Sequence, residues 1–253
     1  MASHLSDIGF KVDDEDSFAD LAEVALREGE RLPAPNGTYI RWSPGAGVEL
    51  WLQLDRGGDV IGLNPHFSGD GRVRAGIQER VTGRMRETEL DGGLCAWANP
   101  SDDAPESGDY PFVFDLPDYA LTSSIQIPSI VTIQLAAFAH EITGYDNDDA
   151  YYAAQPEELK FASESFIPAG LFSPDGDRTD PPQAQAIFSG HILKSSSLIN
   201  PHSGRAFWSL RVQTLGAEIG VVADPSMVSG SFRDRGVVHG VFWLSGRLID
   251  VPE

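Results

Sequence analysis

Val131-Thr-Ile-Gln-Leu-Ala-Ala-Phe-Ala-His-Glu-Ile142 is the stretch on which the fold turns. Apolar residues occupy odd positions for much of its length, the period-2 pattern of a strand. The portion Gln134-Leu-Ala-Ala-Phe-Ala-His-Glu141 also consists of good helix formers, so a helix is the competing reading. A strand is favoured, and residues 71–180 then read as mainly strand, with further runs at 72–81, 93–97 and 111–114. The apolar run from 130 to 139 falls short of the ~20 residues a membrane helix requires, and Gln134 interrupts it.

Downstream, residues 186–194, 205–214, 218–223 and 236–249 form four strand patterns, separated by turns at Asn200-Pro-His-Ser-Gly204, Leu215-Gly216 and Asp224-Pro225. Gly190, Gly240 and Gly246 fall inside these patterns, where glycine marks the bends of a small closed sheet. A barrel-like module over 183–253, OB-like in character, is expected. Upstream, residues 5–12 read as a strand. Asp13-Asp-Glu-Asp-Ser17 supplies N-cap chemistry for a helix at about 17–28, which Gly29 ends. Runs at 37–42, 48–54 and 60–63 follow as strands. The expected fold is strand-rich α+β, with an acidic domain over 1–180 that opens on a βαβββ unit (1–65), then the antiparallel β module.

Residues 1–65 resemble one module of the vicinal oxygen chelate, or glyoxalase-like, superfamily. The resemblance rests on Ile8-Gly-Phe-Lys-Val-Asp13 leading into a helix and on Gly47-Val-Glu-Leu-Trp-Leu52 as a later strand. In that family two βαβββ units pair, and a His on the first strand with a Glu on the fourth holds a divalent metal beside the substrate. The Glu position corresponds to Glu49, whereas Asp7 stands at the His position, a departure that puts the metal site in question. The resemblance covers about a quarter of the chain, and no second unit is recognisable.

The chain has 253 residues and a net charge of −20, with 38 acidic and 18 basic side chains. The excess acid is concentrated: residues 1–30 carry −7, 87–118 carry −9 and 141–182 carry −8, while 183–253 carry +1. Duplex nucleic acid is therefore a disfavoured partner and a basic protein a favoured one. The arginines of segment 72–86 read as solvated strand charge. Cys95 is the single cysteine, so an internal disulfide is impossible and a reducing compartment is expected. The N-terminus turns acidic where a signal peptide needs an apolar core, which points to a cytoplasmic protein without membrane attachment.

Asp7, Glu49 and His66 offer O, O and N donors and form the candidate site for a divalent metal, the one cofactor the residues suggest. Asp146-Asn-Asp-Asp149 lacks the calcium-loop pattern, with Ala150 and Tyr151 at its fifth and sixth positions, and reads as a helix start. Asp175-Gly-Asp177 reads as a turn. No Gly-x-Ser-x-Gly elbow and no phosphate loop is present. Trp51, Arg205, Trp208 and Arg247 are the candidate ligand-binding side chains. The leading expectation is a non-enzymatic binding or accessory protein for a basic partner or small ligand. The alternatives are a metal-dependent glyoxalase- or dioxygenase-like enzyme on a small oxygenated substrate, and single-strand nucleic-acid binding by the C-terminal module. The sequence leaves the oligomeric state open.

Overall fold

A computed structural model describes residues 4–82, 88–171 and 181–250. Arg84 and Arg86 of the basic segment and the expected turn at Asp175-Gly-Asp177 lie outside the described residues, as does most of the loop expected over 173–182. The chain begins with a 3-10 turn (Ser6–Ile8) and helix α1 (Glu15–Glu28). Strands β1 (Glu30–Ala34), β2 (Gly37–Gly45), β3 (Val48–Leu54) and β4 (Val60–Phe67) follow as an antiparallel meander. Next come β5 (Arg72–Val81), β6 (Gly93–Ala98), β7 (Pro111–Asp115), β8 (Ser129–Tyr145), α2 (Asp148–Ala154) and β9 (Ser165–Ile167). The last strands are β10 (Gln185–Ile199), β11 (Ala206–Thr214), β12 (Ala217–Ala223), β13 (Val228–Gly230) and β14 (Val237–Asp250).

The 131–142 stretch is strand, the centre of β8, and no helix forms there. Its neighbours decide the matter. β8 pairs antiparallel with β14 from Thr132↔Asp250 to Tyr145↔Val237, so its backbone groups are taken up along almost the whole strand. Both faces are buried. Ile133, Leu135, Ala137 and Ala139 enter one apolar core, while Ala136 and Phe138 enter a second core with α1 and β3.

The β8–β14 pair belongs to two closed circuits of strands. One runs β10–β11–β12–β8–β14 and returns to β10, with β12–β8 its single parallel pair. The other runs β8–β5–β6–β7–β14, closed by Ser245↔Asp115. Strands before and after Pro181-Pro182 therefore share one sheet, and the expected division at that point does not coincide with a sheet boundary. The circuit formed by the C-terminal strands takes its fifth member, β8, from residues 129–145.

The N-terminal meander packs against this body through α1 and β3. Asp14 accepts from the Ser17 amide while Ser17 Oγ accepts from the Asp14 amide, a capping box that fixes the helix start. Leu21, Ala22 and Ala25 form the buried stripe of α1. The strand expected at 5–12 is absent. Its backbone is instead bonded by a distant turn, with Asn200 Nδ2 donating to the Ile8 carbonyl (2.8 Å) and Ser203 Oγ to that of Gly9 (2.5 Å). Gly9, at φ +79°, closes the 3-10 turn in a left-handed conformation that glycine adopts freely. The unit thus runs α-β-β-β-β. The acidic run at 146–149 starts helix α2 as expected, with Asn147 accepting from the Ala150 amide.

Gly240 sits beside the bulge at which β8 carries one extra residue, His140, and a Cβ there would lie 2.3 Å from the Glu141 carbonyl oxygen. Gly240→Ala should cost about 1–3 kcal/mol through overpacking at the shared strand pair. The measurement is a lowered urea midpoint with an unchanged slope.

Candidate functional site

Alternation along β3 produces the principal polar cluster. Val48, Leu50, Leu52 and Leu54 enter the core beneath α1, so Glu49, Trp51 and Gln53 face the other way. Cross-strand register sets Arg41 opposite Trp51 and His66 opposite Glu49. Arg247 and Ser245 arrive from β14, Gln134 from β8, and Asp118 from the segment after β7. These side chains meet where the N-terminal sheet abuts the β8–β14 pair.

Glu49, 1% exposed, is bonded through both oxygens. Arg41 Nη2 donates to Oε1, and Trp51 Nε1 donates to Oε2 at 2.9 Å, with Arg247 Nη1 3.8 Å from the same oxygen. Burial opposes its ionisation, yet the Arg41 bond and the neighbouring positive charge hold its carboxyl below the ordinary range. Arg247 also donates from Nε to Asp118 (3.1 Å), and burial raises the Asp118 carboxyl in spite of that bond. The Trp51 ring carries both guanidinium carbons within cation–π range, Arg247 at 4.9 Å and Arg41 at 5.6 Å.

His66 is fully enclosed. Gln134 donates from Nε2 to the Phe67 carbonyl, which leaves its Oε1 to accept from His66 Nε2–H at 2.6 Å. His66 Nδ1 then accepts from Ser245 Oγ at 2.9 Å. Burial pushes the imidazole down to about 4, so it is neutral near pH 7. With both nitrogens engaged in hydrogen bonds, it offers no lone pair to a metal.

Asp7 stands apart from this cluster. It accepts from the Asp224 amide (3.0 Å), and burial pushes its carboxyl up to about 8. Among the described residues no three His, Cys, Asp or Glu side chains are placed to hold a metal ion, so Asp7, Glu49 and His66 do not form the expected donor set. Of the four ligand-binding candidates, Trp51 and Arg247 come together. Trp208 instead packs edge-on against Phe232 beside the larger apolar core, and Arg205 is exposed on the β10–β11 turn. The sequence reading missed Arg41, Asp118 and Ser245 as members. Gln134 had a signal: it interrupts the apolar run from 130 to 139.

Chemically, the cluster is an ion network in which Glu49, Asp118 and the imidazole each have a partner, with Asp118 Oδ1 and Arg41 Nε left without one, and it joins the two sheets. Glu49→Gln, which takes the carboxylate from Arg41 while Arg247 keeps Asp118, should destabilise the protein by about 3 kcal/mol. Arg41→Met with Glu49→Gln should recover part of that loss, as a double-mutant cycle of urea midpoints would show.

Asp7 sets a pH dependence of known sign. Its folded pKa, about 8 against an ordinary 3.8, means the native state retains a proton that the unfolded chain releases. Its contribution is complete below about pH 4 and is lost as pH rises through about 8. Asp7→Asn retains an acceptor for the Asp224 amide without that proton linkage. The variant should be more thermostable than the parent, by a margin that widens from pH 5 to pH 8.

Comparison of the chain with protein-family models, with curated proteins and with solved structures returned no match.

Proposed function

We propose that the chain is a non-catalytic binding or accessory protein that recognises a basic protein partner through its acidic outer surface. The observation that carries this reading is the outward face of α1. Asp16, Asp20 and Glu23 recur at i, i+4 and i+7, all exposed, and none makes an ion pair among the described residues. Asp14 and Glu15 add acid at the helix start, and the only basic residue of the helix, Arg27, is paired with Glu28 at its far end. Such a face interacts favourably with positive charge at range and accelerates encounter with it.

Binding rather than turnover is supported by the state of the buried polar groups. Glu49, His66 and Gln134 spend their hydrogen bonds within the protein, so none of the three is free to act as a general base. In this reading the C-terminal strands constitute an OB-like module completed by β8, with the acidic N-terminal unit mounted upon it. No helix among the described residues is long and apolar enough to cross a membrane.

The test is capture from source-cell extract at about 0.15 M salt, an ionic strength that screens charges beyond ~8 Å. Wild type is compared with the triple variant Asp16→Asn, Asp20→Asn, Glu23→Gln, whose changes are all solvent-exposed. A basic protein retained by wild type and lost by the variant is expected, with the purified pair showing an association rate about tenfold slower for the variant. Equal retention by both, or no retained protein at all, removes the reading.

A further inference from the structure

A cleft of about 220 Å³ lies away from the Glu49 cluster, between the outer face of β10–β11 and the loop that joins β4 to β5. Its β10–β11 wall is built by register. Lys194 stands directly opposite Arg211, and Ser196 directly opposite Ser209, the next pair on the same face. A bulge creates this arrangement. The pairing runs His191↔Gln213 and Ile192↔Val212, then skips Leu193 and resumes at Lys194↔Arg211. Without the extra residue Leu193 would face Arg211; with it, a lysine is turned onto the arginine.

Two like charges directly opposed across a strand pair are unfavourable. Among the described residues only the arginine is relieved by an acid. Arg211 Nε lies 3.6 Å from Glu218, with both side chains 43% exposed, and Lys194 has no ion-pair partner among the described residues. In a chain of charge −20 with three lysines, the strand geometry sets a lysine and an arginine side by side at the edge of a concavity.

The opposite wall is firm and chemically different. The Ser68 amide donates to the Gly47 carbonyl (2.7 Å), and Arg72 Nη1 donates to the carbonyls of both Gly69 and Gly71 (2.8 Å each). Gly71 is pressed against β12 so closely that a Cβ would lie 2.4 Å from the Gly220 amide nitrogen. This wall presents Ser68 and the exposed carboxylate of Asp70. A preformed cleft with cations and hydroxyls on one side and a lone carboxylate on the other suits a ligand that is anionic at one end and hydroxylated at the other. The volume equals that of about seven water molecules, enough for one phosphate and a short carbon chain.

We propose that this cleft binds a small phosphomonoester bearing hydroxyl groups. Lys194 and Arg211 hold the phosphate with the hydroxyls of Ser196 and Ser209, and Asp70 accepts from a ligand hydroxyl. The proposal is independent of the basic-partner reading, since none of these residues lies on α1.

The experiment is calorimetric titration of wild type, Lys194→Gln, Arg211→Gln and Asp70→Asn with glycerol 3-phosphate and with inorganic phosphate. Sodium chloride at matched ionic strength is the control. Wild type should bind both phosphates saturably, glycerol 3-phosphate the more tightly. Each cation variant should weaken both by about tenfold, the value of one lost charge-assisted hydrogen bond. Asp70→Asn should bring glycerol 3-phosphate down to the level of inorganic phosphate. Unliganded Lys194→Gln should melt no lower than wild type, because a like-charge contact has been removed. Heat indistinguishable from the chloride control, unchanged affinity in Lys194→Gln, or a lower unliganded melting point for that variant would each overturn the proposal.

Discussion

The antiparallel pairing of β8 with β14 is the constraint on which the rest of the molecule depends. Each strand is long enough to serve more than one further neighbour: β8 pairs with β5 at one end and with β12 and β13 farther along, and β14 pairs with β10 and then β7. Two strand circuits therefore close around one shared pair, and closure leaves few of the edges through which sheets aggregate. The cost is long-range order. Residues 129–145 must find residues 237–250 before either circuit can close, a separation that delays the return for the chain entropy spent.

The N-terminal sheet is joined to that pair partly by apolar contact and partly by a buried ion network. Removing Glu49 and part of two arginines from water carries a desolvation penalty that apolar substitutes would avoid, so the network is a poor device for stability as such. Its geometry is more selective than apolar packing. Arg247 must reach Asp118 and Trp51 at once, and His66 must meet Gln134 and Ser245 from two different strands. A slip of β3 or β4 by one residue would leave these groups unpaired inside the protein, so the network fixes the register between the two sheets.

Local signals in the sequence account for most of the strands and for α1. Branched and aromatic runs between turn residues locate β2, β3, β5 and the C-terminal strands, and the cap at Asp14–Ser17 locates the helix. The first segment misleads because alternation in 5–12 is real while its hydrogen-bond partners lie in the turn at 200–203, information no local window holds. β1, β9 and β13 are too short or too polar to give a periodic signal. The candidate site divides in the same way. Glu49, His66, Trp51 and Arg247 are visible as chemistry, yet their mutual engagement follows from β14 crossing beside β4, a consequence of topology. Asp7 fails as their companion because a 3-10 turn, rather than a strand, carries it to Asp224.

Charge in this protein acts on two length scales. At physiological ionic strength exposed charges are screened beyond ~8 Å, so the acid on α1 and on the loops governs the approach of another macromolecule but contributes little inside a distant cleft. Within the cleft, Lys194 and Arg211 act at hydrogen-bond distance, where screening by salt is weak. An acidic exterior also disfavours the long polyanions that a pair of cations could otherwise attract, because every added phosphate must approach that exterior. A small anion carries few charges and meets little of this repulsion. The same uneven charge that would favour a basic partner at the surface would thereby favour small anions over long ones in the cleft.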